Sequence, residues 1–195
     1  MDFVLASKNK KKLTEMKRIL EPMGINLLSE SDSGVQFPEV EETGTTFEDN
    51  AMLKAESACA ACGLPAIADD SGLCVDALDG APGVYSARFA GEGHNDDDNL
   101  DKLLRLMENV PDSERTARFV CALCCVFPDG RTLTARGECE GTIAHERHGK
   151  GGFGYDPVFM CGGKSFGELS SDEKDKVSHR GKAIRLFEDK IRNMI

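Results

Sequence analysis

The sequence predicts an α/β fold layered around a mixed β-sheet, and three observations carry that prediction. Short apolar runs of strand length alternate with stretches in which apolar residues recur at helical spacing. Two of the runs are joined by Pro128-Asp129-Gly130, a turn that makes them a hairpin. The first of that pair, Phe119 to Phe127, is apolar on both faces, as a central strand must be. With 195 residues and 40% hydrophobic content the chain can bury a real core. It shows no internal repeat and no linker, so residues 1–195 are expected to form a single domain.

Each element has a local reason. Phe3 to Ala6 is a short strand running into a Lys-rich turn. The helix that follows places Leu13, Met16, Ile19 and Leu20 on one face and stops near Pro22-Met23-Gly24. Ile25 to Leu28 is the next strand, and Ser31 to Gly44 reads as a polar loop carrying Glu39, Glu41 and Glu42. Thr45-x-x-Glu48 has the form of a capping box opening a helix through Ala51, Ala55 and Ala58, with Gly63-Leu64-Pro65 to end it. Strand signals then flank Asp69-Asp70, which are expected in a Ser/Gly turn. Asn95 can cap a helix whose first turn holds Asp96, Asp97 and Asp98 and whose buried face is Leu100, Leu103, Leu104 and Met107. After the hairpin strand from Thr132 to Glu138, residues 137–154 are Gly-rich and read as irregular. Val158 to Met160 is a short strand, Ser170-x-x-Glu173 caps a short helix, and a last helix buries Ile184, Phe187, Ile191 and Met194.

Composition narrows the partners. A net charge of −10 argues against binding a nucleic-acid backbone. A small phosphate ligand stays open, because Lys8, Lys10, Lys11 and Lys12 form a local cluster of opposite sign. The apolar runs are too short to span a membrane, and Met1 to Ala6 lacks the features of a secretory leader, so a cytoplasmic location is expected. Eight cysteines include Cys59-x-x-Cys62 and Cys121-x-x-Cys124, which superficially spell a zinc site. The first pair lies on an Ala-rich helix and the second on a strand, where a spacing of three sends side chains to opposite faces. Reduced, buried thiols are the expectation instead. His145 and His148 have no convincing metal-ligand partners and are expected at the surface.

The residues that carry chemistry form five clusters. Asp69-Asp70, at the end of a buried run, need a cation, a hydrogen-bonding shell or a shifted pKa, as at an Mg²⁺ site or a general base. Ser7-Lys8-Asn9-Lys10-Lys11-Lys12 runs from a strand into a helix N-terminus, where free N–H groups and lysines make an anion site. It is not the P-loop pattern. Glu41-Glu42 could complete a hard-cation site. Gly149 to Pro157 formally contains G-x-G-x-x-G, but Pro157 and an apolar strand follow where a dinucleotide fingerprint requires a helix. A Gly-rich loop with Phe153 and Tyr155 suits close approach to a flat ligand. Ser178-His179-Arg180, with Lys174 upstream, can donate to carbonyl or phosphate oxygens.

Together these pieces resemble the inosine/xanthosine triphosphate pyrophosphatase family. The resemblance runs in order through Ala6-Ser7-x-Asn9-x-x-Lys12, Glu41-Glu42-Thr43-Gly44-x-Thr46-Phe47-x-x-Asn50-Ala51-x-x-Lys54 and Ala68-Asp69-Asp70-Ser71-Gly72-Leu73. It continues through Gly80 to Arg88, Gly152-Phe153-Gly154-Tyr155-Asp156-Pro157 and Ser178-His179-Arg180-Gly181-Lys182. One departure stands out: the family's first loop usually has glycines where this chain has Lys8 and Lys11.

The resemblance implies an elongated mixed β-sheet with flanking helices, forming two lobes around a central cleft, in a homodimer. It implies that Asp70 accepts the proton of the attacking water, that Glu41 and Asp70 ligate Mg²⁺, and that Asp69 and Glu42 support them. Ser7, Asn9 and Lys12 would hold the triphosphate, in the loop that also carries Lys8, Lys10 and Lys11. Ser71, Phe153, Gly154, Tyr155, Asp156, Lys174, His179 and Arg180 would enclose the nucleoside. The expected reaction is hydrolysis of ITP, dITP or XTP to the monophosphate and pyrophosphate, with Lys12 neutralising developing charge. Donors facing the 6-keto oxygen, from His179, Arg180 or a loop N–H, would reject a 6-amino purine. The alternatives are a pyrophosphatase of another nucleotide class, a nucleotide sensor without turnover, and a zinc protein held by the cysteine pairs.

Overall fold

The structure, a computed structural model, describes residues 2–93 and 95–194. Seven strands form one sheet in the order β2-β1-β3-β4-β5-β6-β7. They are β1 (Asp2–Leu5), β2 (Asn26–Leu28), β3 (Ala66–Val75), β4 (Thr116–Val126), β5 (Thr132–Ile143), β6 (Phe159–Cys161) and β7 (Lys164–Ser165). The helices are α1 (Lys10–Leu20), α2 (Glu30–Ser33), α3 (Phe47–Cys62), α4 (Asp96–Leu106), α5 (Ser171–Val177) and α6 (His179–Ile191). The sheet is mixed as expected: β1 pairs in parallel with β2 and β3, whereas β5–β6 and β6–β7 are antiparallel. No helix among the described residues is long and apolar enough to cross a membrane.

The chain divides into two compact units. The first comprises residues 1–70, 121–137 and 180–195; the second comprises residues 71–120 and 138–179. In the first, the period-2 alternation of the strands builds a core on each side of the sheet. Phe3, Leu5, Ile67, Cys121, Leu123 and Cys125 face one side, where α1 lays down Met16 and Leu20, and α6 lays down Ile184, Phe187 and Ile191. Val4, Ala66, Ala68, Cys124 and Val126 face the other side, against Ala51, Ala55, Ala58 and Cys59 of α3. Small residues on both partners let α3 approach the sheet closely. In the second unit Leu73 and Val75 of β3 pack with Leu100, Leu103, Phe119, Ile143, Phe159 and Phe166.

Several local expectations carried by a cap or a terminal glycine hold. Asn95 caps α4 by accepting from the N–H groups of Asp97 and Asp98. The Ser170/Glu173 box closes in both directions, and Gly63 ends α3 in the left-handed conformation. Met194 lies beyond the end of α6 yet still packs, partly buried, on the first core.

Four expectations are corrected. Asp69-Asp70-Ser71-Gly72 is not a turn: β3 runs unbroken for 10 residues through both carboxylates. Cations waiting on both faces, described below, remove the penalty that would have forced the chain to turn. The 31–44 loop contains the start of order, since α2 forms on a Ser29/Asp32 capping box. Helix α3 is capped by Thr46, whose Oγ1 accepts from Asp49 N at 3.1 Å, rather than by Thr45. Glu48 turns outward instead and takes Arg136 Nη1 at 2.8 Å. Finally, β5 continues to Ile143 through the segment expected to be irregular. Gly141 is what permits it: a Cβ there would lie 2.3 Å from Met160 O on the neighbouring strand.

Candidate active site

Strand geometry assigns the two adjacent carboxylates different partners. Asp69 shares the face of Ile67, and Asp70 shares the face of Ala66 and Ala68. On the first face α1 and α6 deliver cations: Lys12 Nζ lies 3.0 Å from Asp69 Oδ2, and Arg180 Nη2 lies 3.2 Å from the same oxygen. Arg180, only 2% exposed, also donates through Nη1 to Glu15 Oε2. Lys12 and Glu15 are three residues apart on α1 and therefore share a face.

On the opposite face α3 presents Asn50 and Lys54, four residues apart and again on one stripe. Lys54 Nζ lies 3.2 Å from Asp70 Oδ1 and 2.9 Å from Glu42 Oε1. Asn50 Nδ2 donates to Asp70 Oδ2 at 3.3 Å, while its Oδ1 accepts from Gly44 N at 2.8 Å. Gly44 is required there, because a Cβ would sit 2.6 Å from Asn50 Oδ1. Asp70 is thus held on both oxygens. Its pKa is nevertheless raised: burial is the largest cause, Lys54 and Lys12 pull it down, and Glu42 and Asp69 push it up. Lys54 keeps its proton, because Asp70, Asp69 and Glu42 together outweigh the burial that opposes it.

The loop entering α1 is arranged differently from the expected cradle of free N–H groups. Asn9 Oδ1 accepts from the N–H groups of Lys11 and Lys12 at 3.0 and 3.2 Å, and Asn9 N donates to Ser7 Oγ. Asn9 is therefore the helix cap. What the loop offers an anion is its ammonium groups, with Lys8, Lys10 and Lys11 at the surface and Lys12 half-buried. Glu41 is exposed in the loop before α3, and Glu42 is half-buried.

The second unit gathers most of the aromatic set. Asp156, 2% exposed, accepts on Oδ2 from Lys174 Nζ at 2.7 Å and from Phe153 N at 2.9 Å. Lys174 Nζ also lies 4.9 Å from the Phe153 ring centre, within cation–π range. Gly152 makes the loop possible, with φ +73° and Asp156 Oδ2 only 2.0 Å from where a Cβ would stand. Gly154 N donates to Asp96 Oδ2 at 3.0 Å, tying the loop to the start of α4. Tyr155 points inward and donates its hydroxyl to Ser86 O at 2.7 Å, and burial raises its pKa. His179 stacks on Phe119 at 4.6 Å between ring centres, with Phe166 in the same near-parallel stack. Ser71, at the point where β3 enters this unit, is half-buried.

The first unit therefore brings together Lys12, Asp69, Asp70, Glu42 and Arg180, and the second brings together Phe153, Asp156 and Lys174, with His179 stacked on the Phe166 ring that Lys174 also faces. Arg180, expected around a nucleoside, has its guanidinium on Asp69 and Glu15. Lys54, Asn50 and Glu15 were not singled out as functional residues from sequence. For the first two the signal was present, as a polar i, i+4 pair on an otherwise Ala-rich helix. The cysteine pairs make no zinc site: Cys121 and Cys124 point into different cores. Among the described residues no three His, Cys, Asp or Glu side chains converge on a common metal position. The Gly149–Gly154 segment is followed by a 3-10 turn and β6, not by a helix.

Comparison with known proteins gives a consistent picture. The Ham1 family model matches residues 3–190. A dITP/XTP pyrophosphatase of Desulforamulus reducens is 51% identical over 187 residues, covering 95% of this chain and 92% of its own. One of Bacillus cereus is 49% identical over 195 residues, covering 96% and 93%. Among solved structures, the Staphylococcus aureus Ham1 protein superposes with a TM-score of 0.87 at 39% identity, over 100% of both chains. A HAM1 protein from Coxiella burnetii gives 0.89 at 40% identity, over 99% of both.

Proposed function

The chain belongs to the Ham1 family, and from that premise we propose that it hydrolyses the non-standard purine nucleoside triphosphates dITP, ITP and XTP to the monophosphate and pyrophosphate. The observation that carries the reading furthest is Asp70. It is a buried carboxylate with a raised pKa, oriented on both oxygens by Lys54 and Asn50. Burial that raises a carboxylate's pKa, with both oxygens oriented, is how a protein prepares a general base. Asp70 takes the proton of a water that attacks the α-phosphorus; the P–O bond to the β-phosphate breaks and pyrophosphate leaves. Asp69 holds Lys12 and Arg180 in fixed positions, so positive charge is already in place when negative charge develops on phosphate oxygens. Ser7, Asn9 and Lys12 hold the triphosphate in this reading, and Lys8, Lys10 and Lys11 attract it.

The carboxylates suit Mg²⁺. Glu42 and Asp70 already converge on one cation, the Lys54 ammonium, and both present hard oxygen donors. One or two carboxylates completed by substrate phosphates is the usual Mg²⁺ arrangement, so a protein cage of three ligands is not required. Asp70, Glu41 and Glu42 are assigned to hold the ion, which when bound supplies charge neutralisation at the phosphates.

Selectivity is assigned to the second unit. Phe153 offers a face for the base, and the Lys174–Asp156 pair gives a fixed ammonium donor for a 6-keto oxygen. A 6-amino group would set donor against donor at that ammonium. Ser71, Gly154, Tyr155 and His179 are assigned with them to the nucleoside in this reading. A cytoplasmic homodimer, as the resemblance implies, belongs to the same proposal.

The test is pyrophosphate release from dITP, ITP, XTP, dATP and GTP, each with and without Mg²⁺. Mg²⁺-dependent release confined to the first three is expected. Equal release from dATP or GTP would transfer the protein to another nucleotide class. Tight binding of ITP without release would make it a sensor.

A further inference from the structure

We propose that Cys139 and Cys161 are a thiol-modification site, a dithiol that closes to a disulfide when the protein meets a hydroperoxide. The two sulfurs lie 3.6 Å apart, on the adjacent antiparallel strands β5 and β6. No motif in the sequence pairs them, because 22 residues separate them. What brings them together is the close approach of the strands at Gly141. A side chain there would collide with Met160 O at 2.3 Å and with the Phe159 ring at 2.7 Å, so only glycine lets β6 lie this close to β5. A disulfide sulfur pair is separated by about 2.05 Å, so the remaining approach is about 1.5 Å.

Access and competition favour this pair. Cys139 is 2% exposed, while Cys161 is half-buried at the end of β6 and so meets solvent oxidant first. The cysteines that look paired in sequence are poor candidates. Cys121 and Cys124 point to opposite faces of the sheet. Burial pushes the Cys124 and Cys125 thiols up to about 12 and also raises Cys59, which keeps them protonated and unreactive.

The chemistry balances with a hydroperoxide as the sole oxidant. The Cys161 thiolate attacks one peroxide oxygen and breaks the O–O bond, leaving a sulfenic acid and, from hydrogen peroxide, hydroxide that takes up the thiol proton as water. The Cys139 sulfur then attacks the Cys161 sulfur; the S–O bond breaks, the S–S bond forms, and a second water departs with the Cys139 proton. Two thiols and one hydrogen peroxide give one disulfide and two waters. Neither sulfur belongs to the groups assigned to hydrolysis, so this site stands or falls independently of that assignment.

The experiment treats the full chain with a slight excess of hydrogen peroxide, alkylates the remaining thiols under denaturing conditions and maps the peptides. The expected result is a fall from eight titratable thiols to six, a cross-linked peptide joining Cys139 to Cys161, and full recovery with dithiothreitol. In C161S the cross-link is absent and all seven remaining thiols are still titratable. Because the wild-type peptide map needs no variant, a folding defect in C161S would not blunt the test. Recovery of both cysteines as alkylated thiols, a cross-link mapped to another pair, or oxidation of Cys161 to a sulfinic acid with Cys139 untouched would each overturn the proposal.

Discussion

The raised pKa of Asp70 states what the residue costs as well as what it can do. Its carboxyl holds a proton more tightly in the folded chain than in the unfolded one, chiefly because it is buried. Linkage then fixes the sign: the folded state binds more protons between the ordinary and the raised pKa, so stability is lost as pH climbs through that window. Above the raised pKa the ionised Asp70 is a net burden, a cost that accompanies the proposed role as general base. The variant D70N removes the charge and keeps an acceptor for Asn50, while Lys54 retains Glu42. We expect kcat for ITP to fall about 10²–10⁴-fold, the range of a lost general base, and the melting temperature at neutral pH to hold or rise. A variant within tenfold of wild type would remove Asp70 from that role. In the wild type, activity should decline as pH falls through the raised Asp70 pKa, because only the carboxylate accepts the proton. Of this residue-scale picture the sequence disclosed the carboxylates but not their partners. Lys12, Lys54 and Arg180 reach β3 from three different helices, and no local pattern links position 180 to position 69.

At the scale of elements, what was legible followed from locality. Periodic faces, the Asn95 and Ser170 caps and the Pro128-Asp129-Gly130 hairpin are decided within a few residues, and the structure keeps them. The middle of β3 was not legible, since Asp-Asp-Ser-Gly is a turn by composition and becomes a strand only because distant cations neutralise it. The extension of β5 was hidden for a similar reason: Gly141 looks like a breaker and instead admits a neighbouring strand. Arg115 is another long-range determinant. It is 2% exposed and donates to four backbone carbonyls, Met107 and Val110 just beyond α4 and Ile143 and Ala144 at the end of β5. Burial lowers its pKa, with Asp112 partly opposing, so its charge is spent on carbonyl dipoles. In R115M the Val110, Ile143 and Ala144 carbonyls lose this donor, while Met107 O keeps the N–H of Val110 at 3.1 Å. By analogy with broken buried charge networks, we expect a loss of about 3–5 kcal/mol, or a fall in melting temperature of about 10 °C. Calorimetry against wild type measures it. A change below about 1 kcal/mol would mean that water replaces the guanidinium and that Arg115 does not join α4 to β5.

For the molecule as a whole, the relevant quantity is charge. A chain of net charge −10 repels a nucleoside triphosphate at long range. Against that field the α1 loop sets four lysines within residues 8–12, three of them exposed. The backbone N–H groups of Lys11 and Lys12 are committed to Asn9, so charge rather than amide geometry is what this loop contributes. Lysines at positions 8 and 11 thus supply electrostatic attraction rather than close backbone approach. The consequence is a specific salt dependence. Neutralising K8S, K10S and K11S together should lower kcat/KM for ITP about 10–100-fold at low ionic strength, within the range known for electrostatic steering. The loss should fall mainly on KM. It should shrink as salt rises, because at about 0.15 M the Debye length is near 8 Å and exposed charges are largely screened. Steady-state kinetics at several salt concentrations, with Mg²⁺ activity held constant, separates the cases. A deficit that persists undiminished in high salt would mean that the three lysines touch the phosphates directly. No deficit at low salt would mean that Lys12 alone answers the substrate's charge.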